Sequence, residues 1–91
     1  FAKMSMDDIE LWEMNEAFAA QVIACNRELK VDVGKINVLG SGVSLGHPVG
    51  MTGVRLIVTL LHEMRRSKKQ FGCATLCAGG GPAMATIIEA L

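Results

Sequence analysis

Apolar and polar residues alternate through Ile9-Glu10-Leu11-Trp12-Glu13-Met14, broken only at Trp12, and that period predicts a short strand. The period then changes. Phe18, Val22, Cys25 and Leu29 recur at helical spacing, and Ala19 and Ile23 widen the stripe. Asn15 has the side chain of an N-cap, so a helix is predicted from Glu16 to about Lys30. Val31 to Lys35 reads as a loop, and Ile36-Asn37-Val38-Leu39 as a brief apolar strand. A second helical pattern follows the glycine-rich stretch Gly40 to Gly46. Pro48 suits its first position, and Val54, Ile57, Val58, Leu61 and Met64 mark a buried face that Leu56 and Leu60 broaden. This helix is predicted to run from Pro48 to about Arg66. Phe71 to Cys77 is almost wholly apolar and reads as a buried strand. Gly79-Gly80-Gly81-Pro82 breaks it, and Ala83 to Leu91 is expected to return as a strand beside its predecessor.

The resulting order, β-α-β-α-β-β, implies a layered α/β fold with a mixed sheet. Strands joined through helices should be parallel, and the last two should form a hairpin. The pattern lacks a full opening strand–helix unit. Phe1 to Met6 reads as the tail of an earlier element, and the chain as part of a larger domain.

Composition narrows the function. With 91 residues, 51% of them hydrophobic, the chain holds one small domain with a core. Nine basic and nine acidic residues cancel, which gives no electrostatic footprint for nucleic acid. The one basic run, Arg65-Arg66-Ser67-Lys68-Lys69, falls where the second helix should end and complements its dipole. No apolar run reaches the roughly 18–20 residues that span a bilayer, so no membrane partner is expected. Three cysteines without secreted-type spacing point to reduced thiols and a cytoplasmic setting.

Three short motifs place an amide, an imidazole and a thiol at junctions between regular elements and turns: Asn15-Glu16-Ala17-Phe18, Gly46-His47-Pro48-Val49-Gly50 and Cys77-Ala78-Gly79-Gly80-Gly81. A neutral imidazole at His47 can take a proton from a thiol or donate its N–H to a carbonyl oxygen. Taken alone, the same histidine reads equally as a cap or a space-filler. Cys77 is either a nucleophile or proton carrier, or a small hydrophobe as Cys25 and Cys73 are expected to be. Backbone N–H groups near Gly79 and Gly80 can form a nest for a developing oxyanion. Asn15 can cap with its oxygen and still offer its N–H₂ to a water or substrate oxygen. Phe18 is core, or it lines the same site; His62 reads as surface. A metal site is not expected, because there is no Cys-x-x-Cys pair and no histidine pair at ligand spacing. A nucleotide loop fits poorly: Gly46 comes one residue late for G-x-G-x-x-G after Gly40-Ser41-Gly42, and Glu63 falls within a helical pattern.

Each motif alone is weak evidence. Together, in this order and spacing, they resemble the thiolases, the acetyl-CoA acyltransferases, over about Asp7 to Leu91. The resemblance implies the later part of the second of two similar β-α-β-α-β-α-β-β halves, truncated at its N-terminal side. It implies thiolytic cleavage of a 3-oxoacyl-CoA, or the reverse Claisen condensation of acetyl-CoA, with coenzyme A thioester as substrate and no other cofactor. It also assigns roles. The histidine matching His47 activates a nucleophilic cysteine and donates to the thioester oxygen. The cysteine matching Cys77 moves the proton at the carbon being made or broken. The asparagine matching Asn15 holds a water in one oxyanion hole, the N–H matching Gly79 serves a second, and the phenylalanine matching Phe18 lines the acyl site. The nucleophilic cysteine belongs to the first half and has no match here, so the chain alone is expected to be inactive. The implied partners are acyl-CoA or CoA, the N-terminal thiolase domain and, in the intact protein, further copies of itself. Ala19-Ala20-Gln21 and Gly50-Met51-Thr52-Gly53 lean toward the degradative types. The rival reading is a thioester- or nucleotide-binding module built on Gly40 to Gly46, without catalysis. The enzymatic reading requires the side chains of Asn15, His47 and Cys77 to converge.

Overall fold

The computed structural model describes residues 2–91. Its centre is the apolar strand β2 (Phe71–Cys77), flanked by β1 (Leu11–Met14) and β3 (Ala83–Glu89) in the order β1-β2-β3. β1 runs parallel to β2, with Leu11 opposite Gly72 and Met14 opposite Thr75. β3 returns antiparallel, from Cys77 opposite Ala83 to Phe71 opposite Glu89. The mixed α/β sheet and the closing hairpin are therefore as expected. Ala78 N donates to Pro82 O at 2.9 Å across the hairpin turn. Gly80 and Gly81 take φ of +89° and +100° in it, values that favour glycine.

Among the described residues are three α-helices, α1 (Ala19–Leu29), α2 (Gly42–Leu45) and α3 (Thr52–Ser67), with short 3-10 turns at Met6–Asp8 and Val33–Lys35. α3 covers one face of the sheet. Leu56, Leu60 and Met64 pack on Leu11 and Ala74, with Ile57, Leu76 and Ile88 around them. On the opposite face Ile9, Trp12 and Cys73 form a smaller cluster with Met4, Val31, Ile36 and Phe71. The buried side of α3 is thus Thr52, Leu56, Leu60, Glu63 and Met64, whereas Val54 and Val58 are exposed. The expected face was rotated. Both sides of this helix are apolar, and the spacing of four through Leu56, Leu60 and Met64 is the one that meets the sheet.

Other boundaries also moved. α1 starts at Ala19, not Glu16, and its cap residue is Phe18, whose extended backbone presents its carbonyl to Gln21 N and Val22 N. Asn15 is therefore not the N-cap. No residue of α1 is buried, and Val22, its innermost apolar residue, is only half-buried. The helix ends at Lys30 in the left-handed region, where the Asn26 carboxamide both donates to and accepts from the Val31 backbone. Pro48 does not open α3. It lies in a preceding turn, and its carbonyl accepts from Met51 N and Thr52 N.

The strand expected at Ile36–Leu39 is reduced to a single parallel bridge between Trp12 and Ile36. The cause is Asn37. Its backbone is left-handed, with φ of 49°, and its carboxamide pairs with Met14 N and Met14 O, each at 2.8 Å. One side chain thereby replaces the strand neighbour that β1 would otherwise have. The basic run ends α3 as expected. Arg66 pairs with Glu63 at 2.7 Å, Lys69 with Glu10 at 3.5 Å, and Lys68 turns left-handed to stop the helix. Among the described residues, no helix is long and apolar enough to cross a membrane.

Candidate active site

Strand and helix directions bring the three motifs to one end of the molecule. Asn15 directly follows β1 and Cys77 closes β2, so both lie at the carboxyl ends of parallel strands. α3 runs antiparallel to β2: a Cβ built on Gly53 would lie 3.8 Å from Leu76, whereas Gly72 faces Leu60 and Met64. The start of α3, with His47 just before it, is thus at the same end. The crevice beyond the carboxyl ends of parallel strands is the usual ligand position in α/β sheets.

Asn15 is the most constrained of these residues. Its N–H donates to Thr75 O at 2.9 Å, the residue is only 2% exposed, and neither carboxamide atom has a hydrogen-bond partner. An unpartnered buried polar atom costs about 1–3 kcal/mol. A Cβ on Gly42 would stand 3.3 Å from Asn15 Oδ1 and 2.9 Å from Glu16 O, so only glycine leaves the carboxamide its space. The glycines of the Gly40–Gly46 segment serve this packing and the ends of α2.

His47 is exposed, but one edge of its ring is anchored. Nδ1 lies 2.6 Å from Oγ1 of Thr52, a residue with no exposed surface. The Thr52 hydroxyl donates its single hydrogen to Pro48 O at 3.0 Å, so it presents a lone pair to the ring. This hydrogen-bond pattern assigns the proton to Nδ1 and leaves Nε2 as the acceptor. Thr52 was not identified from the sequence. Its signal was a hydroxyl five residues beyond the histidine, at the first helical position.

Cys77 is exposed. By strand alternation it shares a face with Cys73, opposite α3, and it stands at the end where both faces open. The Cys73 thiol, buried within the sheet, is pushed up in pKa by desolvation. Gly79 has nothing within 4 Å of where a Cβ would be, and its N–H and that of Gly80 donate to no acceptor among the described residues. Phe18 is 74% exposed at the start of α1. The five residues therefore share one end of the molecule, while no hydrogen bond joins Asn15, His47 and Cys77 to one another among the described residues. A groove of about 1030 Å³ lies on the face of the sheet opposite α3, between Met4, Trp12, Cys73 and the Ala83–Ile87 part of β3. No group of three His, Cys, Asp or Glu residues is placed to hold a metal among the described residues.

Behind Asn15 lies a charged network that hydropathy alone does not announce. Glu13 is 3% exposed inside the all-buried strand β1 and pairs with Arg55 at 3.1 Å. Burial pushes its carboxyl up to about 7, although the Arg55 guanidinium pulls the other way. An acidic residue within so apolar a strand was the available signal, since a buried charge demands a partner.

Comparison with known proteins identifies the family of the fold. The profile of the thiolase C-terminal domain matches residues 1–90. The chain is 50% identical over 90 residues to an acetyl-CoA acetyltransferase of Escherichia coli K12, covering 99% of this chain and 23% of that protein. It is 49% identical over 88 residues to a 3-ketoacyl-CoA thiolase of Bacillus subtilis 168, covering 97% and 22%. The crystal structure of the Bacillus anthracis acetyl-CoA acetyltransferase superposes with a TM-score of 0.93 at 54% identity, over 96% of this chain and 22% of that one. The chain thus spans about a fifth of the length of these relatives. With a family profile matched from end to end and the same fold in a solved relative, the chain belongs to the thiolase family, as a thiolase C-terminal domain.

Proposed function

We propose that this chain is the part of an acyl-CoA thiolase that supplies the histidine, second cysteine and asparagine of a shared active site. The observation that carries the reading is the Asn15 carboxamide, buried yet without a protein partner, at the end of the sheet where His47 and Cys77 also lie. A group held in that state suits a water or substrate oxygen that needs a donor.

Cleavage of a 3-oxoacyl-CoA begins when the nucleophilic thiol, contributed by the other half, loses its proton to His47 Nε2. The thiolate adds to the 3-oxo carbon. The bond between C2 and C3 then breaks, its electron pair moves onto the thioester oxygen as an enolate, and the acyl group stays on the nucleophile. A water held by Asn15 and the N–H now on His47 Nε2 stabilise that oxygen, and Cys77 S–H delivers the proton to C2. Acetyl-CoA departs; coenzyme A then gives its thiol proton to the Cys77 thiolate and attacks the acyl-enzyme, whose oxyanion meets the Gly79 N–H, and collapse breaks the bond to the nucleophile, which recovers its proton from His47 Nε2 as acyl-CoA leaves. Phe18 borders the acyl chain. A donor aimed at a developing oxyanion contributes about 10²–10³ in kcat.

The test is Cys77→Ala in the intact thiolase carrying this chain. Both thiolysis and condensation should be abolished, and near-normal turnover in either direction would reject the assignment. The isolated chain, which lacks the nucleophile, should catalyse neither.

A further inference from the structure

Arg55 and Ser41 touch no proposed reacting group, yet their arrangement bears directly on one. Arg55 extends from the first turns of α3 with a forked guanidinium. Nη1 bonds Glu13 Oε2 at 3.1 Å and reaches Thr59 Oγ1 at 3.5 Å, while Nη2 donates to Ser41 Oγ at 2.9 Å. Ser41 has no exposed surface, and its hydroxyl donates in turn to Met14 O at 3.2 Å. That carbonyl belongs to the peptide that leads into Asn15. The residue after Ser41 is Gly42, which forms the wall against the Asn15 carboxamide. Three segments distant in sequence (the end of β1, the start of α2 and α3) are thus fixed to one another by a single planar cation.

We propose that Arg55, acting through Ser41, is a positioning residue that sets where the Asn15 carboxamide stands in the enolate site. The inference rests on the proposed thiolase function. Stability alone does not account for the network, because a buried ion pair replaced by well-packed apolar residues usually leaves a fold as stable or more so. Geometry does. A guanidinium holds two bonds in a fixed plane, and a lysine ammonium in its place would serve Glu13 without holding Ser41 in register. The other attachments of Met14 and Asn15, to Asn37 and to Thr75, leave the Gly42 side of the carboxamide free to shift unless Ser41 is held.

The proposal separates two reactions of the intact enzyme. Exchange of label between acetyl-CoA and free coenzyme A needs only acyl transfer to and from the nucleophile; thiolysis of a 3-oxoacyl-CoA also needs the enolate. Ser41→Ala and Arg55→Lys should each lower kcat for thiolysis about tenfold or more, or about 1.4 kcal/mol in the barrier. The exchange rate should fall by less than about threefold, and KM for the 3-oxoacyl-CoA should stay within about threefold of the parent. Arg55→Lys, which retains the charge beside Glu13, keeps the test alive should Ser41→Ala fold poorly. Equal losses in both reactions would show a merely structural role and overturn the proposal, as would parental thiolysis in both variants. A parent enzyme that performs exchange and thiolysis upholds the thiolase reading whatever the variants do. A parent that performs neither overturns that reading and this inference with it.

Discussion

Replacing Thr52 by valine removes one oxygen from the anchor of His47 and little else. The shape is conserved, and Pro48 O keeps its bonds from Met51 N and Thr52 N, at 2.8 and 2.9 Å. The exposed imidazole can turn its Nδ1–H to water, so the loss in folding stability should be about 1 kcal/mol or less. Catalysis should suffer more. In the proposed mechanism Nε2 takes the proton of the nucleophile and the ring becomes a cation, so the 2.6 Å contact of its Nδ1–H with Thr52 becomes a charge-assisted bond. Hydrogen bonds to charged groups contribute about 1.5–3 kcal/mol. Losing this one should lower kcat for thiolysis by roughly ten- to 150-fold. Thr52→Ser keeps the hydroxyl and should recover most of the rate. Steady-state thiolysis gives the ratio, thermal melting checks that the fold survives, and ¹⁵N chemical shifts of the ring report which nitrogen carries the proton. A valine variant within about twofold of the parent, or a ring protonated on Nε2 in the parent, would refute the reasoning.

Two further outcomes follow from packing and charge. A methyl group added at Gly72 would stand 2.6 Å from Met64 Sδ and 2.9 Å from Leu60 Cδ1, both in fully packed surroundings, so Gly72→Ala should destabilise the domain by about 1–3 kcal/mol. Its melting temperature should fall by several degrees, and an unchanged value would mean that the Met64 thioether swings aside freely. Glu13 holds its proton up to about pH 7 in the fold, against an ordinary value of 4.5. Between those values the folded state binds a proton that the unfolded chain has released, so stability falls as pH rises, by roughly 3 kcal/mol across the window. Glu63 has the opposite sign. Arg66 lowers its pKa, so its contribution is present above the ordinary carboxylate range and fades as pH falls below it. Urea denaturation from pH 4.5 to 8 should show the upper slope in the parent and none in Glu13→Gln; the same slope in both would assign it to another group.

The fold was legible where one pattern had one structural solution. The apolar run Phe71–Cys77 reads as a buried strand, and the glycine break, the shortness of Ala83–Leu91 and Ile87-Ile88 favour a returning strand over a helix, as the hairpin shows. Legibility failed where a side chain did the work of backbone. Ile36–Leu39 has the composition of a strand, but the Asn37 carboxamide occupies the ladder positions of Met14, and no hydropathy pattern records that. α3 is apolar on two sides, so the sequence could not say which one meets the sheet. Asn15 was expected to cap the first helix, because a carboxamide before a helical pattern has that composition, and only the fold shows Phe18 standing in its stead. Thr52, Ser41 and Arg55 were missed because their importance lies in what they hold.

α3 also separates two kinds of freedom along one rod. Its 16 residues span about 24 Å, with Thr52 and Arg55 at one end and Leu60, Glu63 and Met64 toward the other. Substitutions at the far end can therefore retune heat tolerance without disturbing alignment at the near end. A laboratory seeking a hardier protein would do best to diversify the second half of the rod and leave its first two turns alone.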